Sequence, residues 1–191
     1  MLITVPRILI FIGLSVSLFL HGTYNLNSPL TRPAYGEEAV LAIEWVDLLS
    51  KADLDAMLNP PELTHDSYGW EEQLDGNSAA EAYTQAMQSF DVNPDLLNKR
   101  IMIPGFIVPT AYNEDRKVTQ FFLVPFFGAC IHLPPPPPNQ IIFVTYEPGV
   151  DLENFYDAHV VHGLLTNEVV NNDLADSAYS LEAEGVSIYS Y

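Results

Sequence analysis

The sequence predicts a mainly β protein with N-terminal helices, in which five antiparallel strands form a small barrel. The chain changes character near residue 96, because helical patterns precede it and short β-branched and aromatic segments follow it. Turn residues separate these segments at intervals too short for the crossover helices that a parallel sheet requires. The five predicted strands span residues 99–108, 118–124, 140–146, 158–165 and 181–189.

A Pro104-Gly105 pair interrupts the first of these segments. Proline cannot donate a ladder hydrogen bond, so this pair indicates a bulge or an edge within the strand. Bulges allow a short sheet to bend and close on itself. Five antiparallel strands with a bulged first strand therefore predict an OB-like barrel over residues 96–191. Residues 169–180 are expected to form a long loop or a short helix between the fourth and fifth strands.

A helical segment over residues 37–95 is predicted to pack on the barrel. Residues 37–50 are expected to form the first, amphipathic helix. Its apolar positions follow the spacing i, i+4, i+7 and i+8 at Leu41, Trp45, Leu48 and Leu49. Asp53 is expected to cap a second helix that ends at Leu58, before two prolines. A third helix is predicted over residues 78–90.

The N-terminus has the pattern of a secretory signal. Arg7 is followed by thirteen mostly aliphatic residues, 8–20, and then by polar sequence. We therefore interpret residues 1–22 as a signal peptide or an uncleaved anchor and residues 23–36 as a linker. The protein is expected to be periplasmic or otherwise exported. An uncleaved anchor would tether it to the inner membrane, and no other membrane contact is expected.

The charge of the chain excludes a general nucleic-acid-binding role. Arg7 and Arg32 precede the first acidic residue, Glu37, so the remaining chain carries five basic and 25 acidic residues, a net charge of −20. Phosphate binding requires clustered Lys and Arg. A metal ion or a cationic envelope protein is the expected partner, and solubility is the alternative explanation of the acidity.

The most distinctive stretch contains the only cysteine, Cys130, then His132, five consecutive prolines and an Asn-Gln pair. Consecutive prolines form a stiff polyproline II rod without backbone donors. We expect this stretch to form a rigid binding loop, and a simple crossover between the second and third strands is the alternative. The residues assigned to the loop are Gly128, Pro134, Pro136, Pro138, Asn139 and Gln140.

Cys130 and His132 have the spacing of a metal chelate. They are two residues apart, so on an extended chain both side chains point to the same side. Thiolate and imidazole are preferred zinc ligands, but a zinc site needs at least three protein ligands. The fourth strand offers His159 and His162. Because these two are three residues apart on a strand, they should face opposite sides, and only one could join a zinc site.

Two alternatives to a metal-binding module remain. A metal-free scaffold or transporter-accessory protein would use the proline loop to dock onto a partner. A cysteine-dependent enzyme would use Cys130 as a nucleophile, with His159 or His162 as the base and Asn139 orienting it. We expect a non-enzymatic binding module.

The chain also resembles a family of exported bacterial proteins of unknown function. The resemblance rests on PGFIVP at residues 104–109, on the segment 121–140 and on the tail that begins GLL, and it covers residues 44–189. The family signature is Cys-x-His followed by prolines and Asn-Gln. Some members are lipoproteins, and some are encoded beside an ABC transporter and metal-uptake genes. The resemblance therefore implies a role in envelope metal handling with an inner-membrane ABC transporter complex as partner. This chain lacks a lipobox cysteine.

Overall fold

The computed structural model describes residues 39–60, 78–129 and 136–190. All of them belong to one compact unit, Glu37–Tyr191. The predicted signal and linker, and the candidate site residues Cys130, His132 and Pro134, lie outside the described residues. No helix within the described ranges is long and apolar enough to cross a membrane.

The described chain contains two short helices, five strands of seven to thirteen residues and three strands of two residues. In chain order they are β1 Leu41–Ala42, α1 Lys51–Leu58, α2 Ser78–Ala86, β2 Arg100–Tyr112, β3 Val118–Val124, β4 Ile142–Val150, β5 Ala158–Thr166, β6 Val170–Asn171, β7 Asp176–Ser177 and β8 Tyr179–Ile188. Single 3-10 turns occur at Trp45–Leu48, Pro94–Leu96 and Pro138–Gln140.

The five long strands close into a barrel, which confirms the predicted fold class. The order around the barrel is β2, β3, β4, β8 and β5, and β5 pairs again with β2. Strands β4 and β8 are parallel, whereas the other four pairs are antiparallel. A ring with an odd number of strands cannot alternate direction throughout, so one parallel pair is a geometric requirement of closure.

Strand β2 closes the barrel because it changes partner along its length. Residues 100–106 pair with β5 and residues 106–112 pair with β3. Pro104 and Gly105 stand just before this change, and the register of β2 against β5 is continuous through them. The register shifts of β2 against β3 occur instead between Pro109 and Tyr112. A Cβ on Gly105 would lie 2.8 Å from the Leu123 side chain, so glycine permits β3 to approach.

Alternate residues of the strands fill the barrel interior. A second, smaller apolar cluster lies on the opposite face of β3 and contains Phe122, Val124, Ala129 and Ile141. Since Ala129 and Ile141 lie on either side of the proline stretch, the chain that flanks it packs on the outer face of the barrel. The interior cluster includes Ile101, Ile103, Ile107, Val118, Phe121, Leu123, Ile142, Val144, Val161, Leu165, Tyr179 and Leu181.

The predicted amphipathic helix is wrong for residues 39–50, which form β1 and a 3-10 turn. Strand β1 pairs in parallel with the edge of β2 that β5 leaves open. Ile43 donates a backbone hydrogen bond to Met102, and the Trp45 indole N–H donates to the carbonyl of Pro104 at 2.7 Å. These contacts give the backbone groups on the open edge of β2 their hydrogen-bond partners. Tertiary strand pairing therefore outweighs the helical periodicity of residues 37–50.

The other helices begin close to their predicted positions. Helix α1 ends at Leu58 as predicted, but its N-cap is Ser50, whose hydroxyl accepts from the backbone N–H of Asp53. Helix α2 ends four residues before the predicted limit, at Ala86. Between β5 and β8 the chain forms the small β6–β7 hairpin rather than a helix.

Tyr179 connects the N-terminal segment to the barrel. Its side chain is fully buried, and its hydroxyl donates to the carbonyl of Leu48 and accepts from the backbone N–H of Asn93, both at 2.7 Å. Burial raises the pKa of Tyr179 to about 12, and the hydrogen bond from Asn93 opposes this rise. The neutral phenol is therefore the form that the fold stabilises.

This raised pKa predicts an alkaline loss of stability. Because the folded protein holds the proton more tightly than the unfolded chain, the contribution is complete below about pH 10 and is lost as pH rises towards 12. The free energy of unfolding should fall by about 2–3 kcal/mol across this window. Urea denaturation at several alkaline pH values measures it. The Tyr179→Phe variant should be less stable near neutral pH and show a shallower alkaline decline. Parallel declines in both proteins would contradict this assignment.

Candidate functional site

A buried polar cluster holds the end of the proline loop. The Asn139 side chain is fully buried, and its Nδ2 donates to Asp53 Oδ2 at 2.8 Å and to the carbonyl of Asp91 at 3.0 Å. The hydroxyls of Ser50 and Ser89 donate to the same Asp53 oxygen at 2.9 and 2.8 Å. Three donors on one nearly buried carboxylate make charge-assisted hydrogen bonds. This Asp53 cluster joins α1, the chain after α2 and the loop end.

Further contacts fix the residues beside Asn139. The Gln140 side-chain amide donates to the carbonyl of Trp45 at 2.8 Å. The carbonyl of Pro138 accepts from the backbone N–H of Ala178 at 2.9 Å. The loop end is therefore attached both to the N-terminal segment and to the chain that leads into β8. The side chains of Asn139 and Gln140, predicted as part of a binding loop, make structural contacts here.

The start of the loop is a tight turn on the outer face of β3. Gly128 has a φ of +79°, a conformation that favours glycine. Ala129 is fully buried in the outer apolar cluster. The Phe127 ring lies edge-on to Phe106 at 6.3 Å and packs against Tyr156 at 4.5 Å, measured between ring centroids. Both described sides of residues 130–135 are thus held against the barrel.

A groove borders the end of the loop, between α2, the loop and the β6–β7 hairpin. Its volume is about 530 Å³. Two prolines of the loop form one wall, and the exposed Leu174 and the acidic Asp173 and Asp176 belong to the hairpin wall. The groove therefore offers an apolar surface with acidic residues beside it.

The two candidate histidines of β5 face opposite sides of the strand, as their spacing predicts. His159 is almost fully buried and stands opposite Gly105, close to the point where β3 ends. Its Nδ1 lies 3.0 Å from the carbonyl of Asp157. Since a carbonyl can only accept, Nδ1 is the donor in this contact, and Nε2 is the ring nitrogen left for another partner. Histidines that bind metals commonly have their second ring N–H held by a carbonyl in this way.

His162 lies on the outer face of β5, between β2 and β8. It packs against Gly185, where an added Cβ would collide with the imidazole ring. The structure therefore does not bring His162 together with His159. In β2, His162 stands opposite Met102, which is three residues further from the end of β3 than Gly105, the partner of His159. His159 is thus the nearer of the two to the end of β3, but it is on the inner face of β5, whereas the loop start packs on the outer face of β3.

Within residues 39–60, 78–129 and 136–190, no three His, Cys, Asp or Glu side chains are close enough to hold a metal ion. The predicted site also requires Cys130 and His132, which lie outside these ranges. The zinc site therefore stays a prediction.

Asn139 joins the Asp53 cluster through its amide nitrogen. Its Oδ1 atom has no hydrogen-bond partner among the described residues.

Sequence reasoning missed an aromatic surface beside the loop start. The side chains of Phe126, Phe127, Phe155 and Tyr156 are 50%, 43%, 52% and 70% exposed. We call these four residues the aromatic surface. The available signal was two aromatic pairs beside the ends of predicted strands, Phe126-Phe127 after 118–124 and Phe155-Tyr156 before 158–165. Strand ends are where a ring can remain exposed, whereas the same residues within a strand would have a buried face.

Removing the carboxylate of Asp53 should destabilise the protein strongly. The Asp53→Ala variant removes the acceptor of the buried Ser89 hydroxyl and one of the two acceptors of the Asn139 amide nitrogen, which should cost about 3 kcal/mol. Asp55→Ala is the matched control, because Asp55 is on the same helix and exposed; its effect should stay within about 0.5 kcal/mol. Urea denaturation at neutral pH measures both. Equal losses would show that the Asp53 cluster does not hold the loop end.

Comparisons with known proteins identify the family. The model of a family described as "Protein of unknown function (DUF3299)" matches residues 45–188. A crystal structure of a DUF3299 family protein from Pseudomonas aeruginosa is 32% identical, with a TM-score of 0.59; the match covers 80% of this chain and 98% of that chain. No curated protein sequence matches the chain.

A putative aspartyl-tRNA synthetase from Leishmania major is a much weaker structural match. Its TM-score is 0.33 at 10% identity, over 68% of this chain and 22% of that chain, which supports no conclusion. The first match agrees with the predicted membership of an uncharacterised family, while export and the proposed signature stay predictions. The chain belongs to the DUF3299 family of proteins of unknown function.

Proposed function

We propose that the chain is an exported, non-enzymatic binding module whose working surface is the proline loop, residues 128–140. The observation that carries this proposal is the attachment of both described sides of the loop. Gly128, Ala129 and Phe127 hold its start, while Asn139 and Gln140 hold its end. A loop fixed in this way presents its remaining residues with little ordering cost on binding.

The proposed ligand is zinc, held by Cys130, His132 and His159. The contact between His159 Nδ1 and the carbonyl of Asp157 supports this assignment, since metal-binding histidines commonly donate their second ring N–H to a carbonyl. Three protein ligands would leave a fourth coordination position for water or for a group of a partner.

The compartment and the partner follow from the N-terminal sequence and the family resemblance. Residues 1–22 would direct the protein to the periplasm, or tether it to the inner membrane if they are not removed. In that compartment the module would handle metal as an accessory of an ABC transporter complex. The net charge of −20 after residue 36 would concentrate cations near its surface.

A metal-free docking scaffold is the second candidate, and the aromatic surface favours it. Exposed aromatic rings are enriched at protein interfaces. The cysteine-enzyme alternative has less support, because His159 Nδ1 lies against the carbonyl of Asp157 and not against Asn139, whose side chain is fully buried in the Asp53 cluster.

Metal analysis of the purified full chain tests the zinc proposal. The wild-type protein should retain about one zinc ion after dialysis, and Cys130→Ser, His132→Ala and His159→Ala should each weaken binding at least about tenfold, since each removes one ligand. His162→Ala is the matched control and should bind zinc like the wild type. Cobalt substitution should give a thiolate-to-metal charge-transfer band that disappears in Cys130→Ser. Sub-stoichiometric zinc in the wild type and in all variants would overturn the proposed metal site. The metal-free docking scaffold would then be the favoured function.

A further inference from the structure

We propose that the aromatic surface binds an arginine-bearing segment of another protein. This inference rests on the proposed role as a binding module and names the class of its partner. Phe126, Phe127, Phe155 and Tyr156 are all more than two-fifths exposed. The Phe127 and Tyr156 rings are in contact, and Phe126 and Phe155 are their neighbours in sequence. Exposed apolar residues that lie together mark an interaction site more often than isolated ones do.

Two separate loops supply the rings, and contacts hold them in place. Phe127 follows β3 and Tyr156 precedes β5, yet their centroids are 4.5 Å apart with an interplanar angle of 35°. The rings of Phe106 and Phe127 also pack edge to face, with their centroids 6.3 Å apart. Because Phe106 of β2 pairs with both Val124 and Ala158, barrel closure itself brings these two loops together.

The turn that carries Tyr156 is ordered by its own hydrogen bonds. The Asn154 side chain accepts from the backbone N–H of Tyr156 at 3.2 Å and donates to the Asp157 carboxylate at 3.0 Å. The backbone N–H of Asp157 donates to the carbonyl of Asn154 at 3.3 Å. Tyr156 is therefore presented in a defined position although it is 70% exposed. A ring positioned before binding loses little conformational entropy when a partner covers it.

The negative charge of the chain around the aromatic surface indicates which class of partner can bind there. The 74 residues from 118 to 191 contain nine acidic residues and no Lys or Arg. Glu153 and Asp157 lie in the same loop as Phe155 and Tyr156. The nearest basic pair in sequence, Arg116-Lys117, is at the opposite end of β3, about 20 Å from Phe126 by strand length. Anionic partners such as nucleic acids or acidic membrane surfaces are disfavoured here.

Arginine satisfies both features of this surface. Its guanidinium stacks on aromatic faces, and its aliphatic stem packs along apolar surface. The same group pairs with carboxylates such as those of Glu153 and Asp157. A neutral apolar segment would use the rings but leave the acidic rim without a counter-charge. The surface is thus complementary to a protein segment that combines arginine with small apolar residues.

Fluorescence anisotropy with a designed peptide tests this proposal. The probe is a fluorescein-labelled Ser-Gly-Arg-Ile-Arg-Gly-Ser peptide, and its matched control carries citrulline in place of each arginine, which keeps the shape and removes the charge. The full chain should bind the arginine peptide saturably and the citrulline peptide about tenfold more weakly. All titrations contain EDTA, so that a failure of the zinc proposal and a failure of this one are distinguishable.

Protein variants locate the binding to the surface. Phe127→Ala and Tyr156→Ala should each weaken binding of the arginine peptide about tenfold, because they remove a central anchor ring. Glu153→Gln should weaken it about two- to threefold and flatten its dependence on salt. Tyr112→Ala and Glu114→Gln are matched controls, since Tyr112 is 57% exposed and both lie at the far end of β3; they should change binding less than about twofold. Circular dichroism checks that each variant is folded.

Several results would overturn the proposal. Equal binding of the two peptides, binding of neither, or unchanged binding in both ring variants would each exclude an arginine site on this surface. Concentration-dependent dimerisation of the wild type that Phe127→Ala abolishes would identify a second copy of the chain as the occupant. Binding to phosphatidylglycerol vesicles that needs the same rings would identify a lipid surface.

Discussion

The double pairing of β2 is the constraint on which the rest of the structure depends. One strand must pair with β5 over its first half and with β3 over its second, and only Phe106 stands opposite a residue of both. A glycine at position 105 allows this change, because a side chain there would meet Leu123 and the carbonyl of Val124. Closure then brings the end of β3 and the start of β5 to the same place. The loop start, the aromatic surface and the start of β5 that carries His159 lie at the same end of the barrel for this reason.

The same constraint explains why the N-terminal segment is extended rather than helical. The first half of β2 pairs with β5 on one edge, and its other edge needs backbone partners. Residues 41–43 supply them by parallel pairing and a hydrogen bond to Met102, and the Trp45 indole reaches the Pro104 carbonyl. The apolar spacing of residues 37–50 fits a helix as well as it fits this arrangement. Periodicity within one segment cannot reveal an open edge that is created 60 residues later.

The strands could be predicted from sequence because their signals are local. β-branched and aromatic runs bounded by turn residues predicted all five barrel strands, and 118–124 matches β3 in both bounds. The Asp53 cluster could not be predicted, because Asp53 and Asn139 are 86 residues apart and each is an ordinary polar residue in its own segment. Opposite orientations of His159 and His162 were predictable from strand geometry alone. Which of them lies nearer to the end of β3 required the register of β5 against β2.

Buried polar groups and exposed aromatic rings lie on different sides of the loop, and this suggests different roles for them. On one side of residues 130–135, the side chains of Asp53, Ser50, Ser89 and Asn139 are turned towards each other. The Asp53 Oδ2 atom that accepts these three hydrogen bonds is held among the groups that it joins. On the other side, rings remain exposed although the outer apolar cluster beneath them is buried. The buried polar groups therefore stabilise the end of the loop, and the recognition that we propose is left to its own residues, to His159 and to the rings beside its start.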